Sequence, residues 1–472
     1  MRHNLLLSWA AILMALVIFS GCSSLPYLMR HTVPEISDVN IFPTHVIQKP
    51  EDTYTFAKIE NEALPDAAAW ALGKTPAPGM SLEEFLEKTG TTAFLFIRND
   101  TIIYENYFHG YSREKLSQVF SITKSVMSAL VGIAIDEGYI QSIHQPVSDF
   151  IPEFAERGHN RLTLNHLLQM TAGLAFADYQ TPAKLLNMYY SPDQEAIIKR
   201  IKQKYPPGTR FAYSSAATQI LGMCLERAVG KKVVEYLEEK LWKPLGMEYD
   251  AKFALERPDG DAKMYGGLAA AAIDLAKLGR LYLHNGNWNG TQLISEGWVK
   301  ASRVADTIEG RSKRYAYCWW LDTYLRRIGY CDDDFFAGGY RGQTLYVNPD
   351  DNIIIVRLGL RESGIEWPQS LSKLAFVMEC SNNQCAPPDL MALEGKYKSQ
   401  TGKAVGLKLL NDILVLEDYD AQERIELQRD TPNRFIGRQK DKEFRILIDV
   451  KNEQVKGVFV EGRDKQMFFR KI

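Results

Sequence analysis

Strand-like segments stand on both sides of a long helical middle, and that order restricts the fold more than any other feature of the chain. Residues 93–97 and 102–108 read as two strands, and Asn99-Asp100 between them suits a tight hairpin turn. Ahead of them, Ser81 and Glu84 make a capping-box pattern for a short helix through Phe85 and Leu86. Helical spacing takes over at Ser121: Val126, Leu130, Val131 and Ala134 recur on one face, and Gly138 supplies a stop. Further helices are predicted over 164–170, 193–202, 216–228 and 273–283. Strands return at 317–321, 344–348 and 353–358, and a closing helix follows over 368–378. The expectation is an α+β domain whose antiparallel sheet gathers strands from both ends and is flanked by helices, with a helical subdomain between.

At 472 residues the chain is long enough for two or three domains. The larger unit is assigned to 76–385. Ala386-Pro387-Pro388 reads as a linker, and after it short alternating segments recur at 405–410, 413–416, 424–427, 444–448, 455–460 and 467–469. Residues 386–472 are therefore expected to form a small all-β barrel or sandwich. Residues 22–75 contain proline and show no sustained period, and are read as a tether and N-terminal extension. Lys plus Arg number 56 against 58 Asp plus Glu, so nothing favours a nucleic-acid partner.

Residues 1–21 have the pattern of an export signal. Arg2 and His3 precede an apolar run at 5–19, shorter than the roughly 20 residues a membrane span needs. The run ends at Phe19-Ser20-Gly21-Cys22, which resembles a bacterial lipobox with Phe19 where Leu is usual. The resemblance implies acylation of Cys22 and attachment to a membrane in the cell envelope. Ser23 and Ser24 resemble outer-membrane sorting. Export also opens disulfide chemistry to the six Cys. Cys318 with Cys331, and Cys380 with Cys385, are two pairings; free thiols throughout are the other reading. Cys224 lies on an apolar helical face.

Chemistry concentrates at Phe120-Ser121-Ile122-Thr123-Lys124-Ser125. Ser-x-x-Lys puts a hydroxyl and an amine one helical turn apart on one face. A buried, partly neutral amine there can take the hydroxyl proton. A serine at a helix start also lies where backbone N–H groups converge on a developing oxyanion. The spacing alone is weak: Ser112 with Lys115 and Ser370 with Lys373 match it too. Ser112 lies in a polar stretch, and Ser370 opens the last helix with no partner motif beside it. Ser121 alone follows strands and opens a strongly apolar helix.

These residues resemble the nucleophile motif of the class C β-lactamase-like serine hydrolases, over roughly residues 80 to 380. That family includes D-alanyl-D-alanine peptidases, esterases and 6-aminohexanoate-dimer hydrolases. Phe211-Ala212-Tyr213-Ser214-Ser215 resembles its second motif, Tyr-x-Asn, which implies that Tyr213 shares a proton with Lys124. A nearby ammonium is expected to depress the phenol's pKa. Ala337-Gly338-Gly339-Tyr340-Arg341-Gly342-Gln343 resembles the third motif. It implies an oxyanion hole from the N–H groups of Ser121 and Tyr340, with Gly338 and Gly339 along the substrate. His166, in a supporting stretch, is read as structural.

The chain departs from the family at two places. Ser215 replaces Asn, and a hydroxyl does less for a substrate amide. Ala337 stands where β-lactamases carry Lys, which makes efficient β-lactam hydrolysis doubtful. The third motif and the loop from Leu174 to Tyr190 look closer to the 6-aminohexanoate-dimer hydrolase branch, which implies substrate contacts at Tyr179 and Ser215, and at Arg341 if it is not simply solvated. The resulting expectation is acyl transfer through an ester on Ser121, acting on a small amide or ester. Cell-wall peptides suit the envelope location, and peptidoglycan contact is the corresponding partner. No cofactor or metal is called for: the eight His are scattered, without His-x-x-x-His or His-x-His. Gly-x-Ser-x-Gly of the α/β-hydrolases is absent. The rival from another class is a non-catalytic envelope lipoprotein that binds peptidoglycan fragments or a protein partner.

Overall fold

The computed structural model describes residues 33–59, 64, 72, 80–156, 159, 161–305, 312–328, 333–382 and, apart from short stretches at turns, 393–471. Its middle layer is an eight-stranded sheet in the order Tyr315–Ala316, Trp319–Trp320, Phe335–Gly339, Gln343–Asn348, Ile353–Gly359, Thr91–Arg98, Thr101–Tyr107, Ala57–Lys58. Early strands thus complete a sheet begun by late ones, as the order of elements requires. The join is Ile353–Gly359 against Thr91–Arg98, with Ile355 opposite Phe96. Asn99 and Asp100 turn the hairpin at φ 49° and 57°, the left-handed pair that matches strand twist.

Both faces of this sheet are buried, which is why its central strands are apolar throughout rather than alternating. Phe94, Phe96, Ile353, Ile355 and Tyr346 pack against Leu82–Lys88 and Trp367–Asn382. Ala93, Leu95, Ile97, Ile354 and Val356 pack on the other side, against Ala272–Leu283 and the apolar helix Ile122–Asp136. The Ser81 hydroxyl accepts from Glu84 N–H at 3.1 Å, so the predicted cap forms. Between the sheet halves lie shorter helices, among them Leu164–Leu168, Pro182–Tyr190 and Ser215–Val229.

Three expectations need correction. The predicted strand at 317–321 is instead two short strands turning at Tyr317 and Cys318, φ 42° and 65°. The helix expected over 193–202 spans only Gln194–Ile198, opened by the Asp193 side chain on Ala196 N–H. The segment read as tether is, from Val33 to Lys58, built into the domain. Thr44–Ile47 pairs with Ala251–Ala254 in a second, four-stranded sheet that continues through Leu268–Ala270 to Ser117–Gln118. Strands of two to four residues with partners some two hundred positions away leave no period to read.

The C-terminal region has eight antiparallel strands from Gly395–Lys398 to Gln466–Lys471. The first also pairs with the last, Tyr397 opposite Lys471, so the ring closes as a barrel. Its interior is filled by Leu407, Leu416, Leu427, Phe435, Ile446 and Val458. Cys22, Cys331, Cys385 and the linker 386–388 lie outside the described residues. Cys224 and Cys318 are buried free thiols. Among the described residues no helix is long and apolar enough to cross a membrane.

Candidate active site

The nucleophile helix begins where the second sheet ends. Val119 N–H donates to Leu268 O at 2.9 Å, which pins the chain just ahead of Ser121. Phe120 then takes a left-handed backbone, φ 48°, a costly conformation for a bulky residue that surrounding packing must impose. It turns Ser121 to the N-cap of Ile122–Asp136. The Ser121 hydroxyl makes no cap bond to its own helix and is free to face a cavity of about 770 Å³.

Lys124 Nζ lies 2.7 Å from Ser121 Oγ and 2.8 Å from Tyr265 O. The amine is 1% exposed. Burial, which penalises the ammonium, lowers its pKa to about 8, against the opposing charge of Asp178. A lysine in that range holds a usable neutral fraction at neutral pH. Tyr213 lines the same cavity as Ser121, and its ring centroid is 5.0 Å from Lys124 Nζ. Trp320 stacks on that ring at 5.4 Å, and Tyr315 meets it edge-on at 5.9 Å. The structure therefore brings Ser121, Lys124 and Tyr213 together. It reverses the expected direction for the phenol: burial first, and the Asp178 charge behind it, push Tyr213 well above its ordinary pKa. Tyr213 stays protonated, so it can pass a proton but is no resting base.

Asp178 belongs to the loop from Leu174 to Tyr190 that carries the resemblance, but the motifs give it no role. It is 8% exposed and lines the cavity. Ser215 holds it twice, backbone N–H to Oδ1 at 2.8 Å and hydroxyl to Oδ2 at 2.6 Å. Ser215 also lines the cavity, but with its hydroxyl proton donated to Asp178 it faces substrate only as an acceptor. The available signal was an acid inside the apolar, aromatic stretch from Leu174 to Tyr190. Tyr179, next along, is 80% exposed on the cavity rim, its ring 5.9 Å from that of Tyr213.

The opposite wall is Phe335–Gly339 and the turn Tyr340–Gly342. A Cβ on Gly339 would lie 2.3 Å from Val119 O, so only glycine lets this strand reach the nucleophile segment. The Tyr340 ring meets that of Phe120, the residue before Ser121, edge-on at 5.6 Å. Gln343 Nε2 donates to Tyr340 O at 3.2 Å and Gly359 O at 2.7 Å, fixing the turn. Arg341 is partly buried and is not one of the residues lining the cavity. Its Nε donates to Pro34 O at 2.8 Å and its Nη1 to Leu360 O at 2.6 Å. His166 Nδ1 accepts from Thr163 N–H at 3.1 Å, a helix-capping role. Among the described residues no three His, Cys, Asp or Glu side chains converge as a metal site.

Fold and site together define a class, the β-lactamase-type serine hydrolases: a nucleophile at the head of a helix, its amine one turn on, and a sheet edge across the cleft. The Beta-lactamase family profile matches residues 81–365, and the chain belongs to that family. It is 29% identical over 358 residues to the 6-aminohexanoate-dimer hydrolase of Paenarthrobacter ureafaciens, covering 68% of this chain and 87% of that protein. It is 23% identical over 182 residues to the N-acetylmuramyl-L-alanine amidase of Bacillus subtilis, covering 33% of this chain and 41% of the amidase. A Bacillus anthracis structure provisionally named a 6-aminohexanoate-dimer hydrolase aligns with TM-score 0.60 at 22% identity, over 72% of this chain and 91% of that one. At that identity the likeness speaks for the fold.

Proposed function

We propose that the protein hydrolyses a small amide or ester through an acyl-enzyme on Ser121. The observation that carries this is the 2.7 Å bond from Ser121 Oγ to an amine whose pKa burial has brought to about 8. Neutral Lys124 takes the serine proton as Oγ attacks the carbonyl carbon. The N–H groups of Ser121 and Tyr340 receive the oxyanion, the effect that usually contributes most to such catalysis. Tyr213 delivers its proton to the leaving amine or alcohol and regains one from Lys124. Water then attacks the ester, and the acid leaves.

The cleft supports a neutral or amine-bearing substrate. Its charged lining residues are Asp178, Asp322, Glu362 and Glu366, all acidic. Ala337 offers a buried methyl where a lysine would hold a β-lactam carboxylate. The named amide substrate of the Paenarthrobacter relative supports an amide, and the named activity of the Bacillus amidase supports a cell-wall peptide as its source. Labelling with a fluorophosphonate and with a fluorescent penicillin tests the reading, followed by a panel of p-nitrophenyl esters, amide oligomers, D-Ala-D-Ala peptides and β-lactams. The expected result is fluorophosphonate labelling with turnover of esters or amides ahead of the two carboxylate-bearing classes. No adduct with either reagent would sink it in favour of a binding lipoprotein.

The second part of the proposal is a lipid anchor on Cys22. Ten residues then lie between the anchor and Val33, a reach of at most about 40 Å. Because Val33 lines the cleft, the active site works close to a membrane surface. Palmitate incorporation that persists in Cys22→Ser would remove this anchor.

A further inference from the structure

The segment just after the tether is part of the active site. Val33 and Pro34 line the cleft that holds Ser121, and Val33 is 46% exposed. From there the chain is fixed to both walls. At one end Pro34 O accepts from Arg341, a residue of the same turn as Tyr340. At the other, Asp38 is 3% exposed and accepts the Tyr189 hydroxyl at 3.0 Å. Tyr189 belongs to Pro182–Tyr190, the helix that forms the far side of the cleft. Gln118 ties the two systems together: its backbone N–H donates to Ile36 O at 2.9 Å and its amide to Tyr189 Oη at 3.0 Å. Ile36, Val39 and Phe42 are buried beneath, and Phe42 meets the Tyr189 ring edge-on at 5.3 Å.

This geometry points to a specificity-determining role for residues 33–42, resting on the reading of Ser121 as nucleophile. The strap is a fixed end wall that limits how long an apolar substrate chain the cleft accepts. Its anchorage explains two features otherwise without a purpose: a buried carboxylate at Asp38 and an arginine in the oxyanion turn that points away from the cleft. Enzymes discriminate chain length where a wall stops the chain, and one added methylene against such a wall is worth roughly tenfold or more.

Two variants read the wall directly. Val33→Trp adds bulk at an exposed position and shortens the cleft. Arg341→Met frees Pro34 and lets the wall recede. The substrates are esters carrying an eight-carbon chain on the acyl side or on the alcohol side, each against its two-carbon counterpart. In at least one series Val33→Trp lowers the long-to-short ratio of kcat/KM about tenfold, and Arg341→Met raises it. Ratios within about twofold of wild type in both series for both variants overturn the assignment. Fluorophosphonate labelling separates the two failures. A wild-type protein left unlabelled at Ser121 defeats the hydrolase reading, whereas a labelled one with unmoved ratios defeats only the strap. A merely structural role would lower long and short esters alike.

Discussion

Ser121→Ala lowers kcat/KM for an activated ester on the order of 10⁵-fold and abolishes fluorophosphonate labelling. The reason is that the covalent route needs the oxygen, and the remaining groups act as one unit with it. Adding Lys124→Met to Ser121→Ala therefore costs little more than Ser121→Ala alone, because neither amine nor phenol has a proton to move once Oγ is gone. Stability does not follow activity. The Ser121 hydroxyl makes no bond to its own helix end, so its loss removes no cap, and the melting temperature stays near that of the parent. Steady-state kinetics on both variants with a thermal melt check this. Activity of Ser121→Ala within about tenfold of wild type would place the nucleophile elsewhere.

Where a signal is local, it was readable. Asn99-Asp100 both accept a left-handed backbone, Ser81 can cap its own helix, and Ser121 and Lys124 are a single turn apart, so each of these features appears where the residues imply it. The central strands announce themselves because both faces are buried and the runs are apolar. The second sheet does not. Thr44–Ile47 finds its partner at Ala251–Ala254, and four residues carry no periodicity that distinguishes them from loop. The barrel strands Gly395–Lys398 and Arg434–Gln439 were missed for a related reason: the segments GKYK and RFIGRQ are short, and charge or glycine interrupts them.

The site divides along the same line. Motif spacing found the three groups that touch one another, but the roles of their neighbours depend on which way a side chain turns. Ser215 occupies an expected substrate position, yet its hydroxyl meets a carboxylate 37 residues earlier in the chain. Arg341 stands in the third motif but reaches Pro34, 307 residues away. Tyr213 was expected to be easier to ionise because a cation is near. Burial decides instead, since removing a phenolate from water is costly, and the Asp178 charge pushes the same way.

Lys124→Met lowers kcat/KM by roughly 10²- to 10⁴-fold, the range for a lost general base, and Lys124→Arg is nearly as inactive. The comparison matters because lysine could serve as base or merely as a fixed positive charge. Arginine keeps the charge but does not deprotonate in the working range. An active Lys124→Arg enzyme would therefore exclude Lys124 as base. In the parent the amine, at about 8, works in its neutral form. Activity then rises about tenfold per pH unit on the acid side and levels off above roughly pH 8. Asp178 supplies the internal control. Its negative charge favours the ammonium and so raises the Lys124 pKa. Asp178→Asn removes that charge, the amine loses its proton more readily, and the acid limb moves to lower pH by about one unit. Asparagine can still accept the Ser215 N–H that bonds Oδ1, so the loop keeps an anchor while the charge is lost. A limb that stays in place in Asp178→Asn, or that moves to higher pH, would mean that the group titrating in the kinetics is not Lys124.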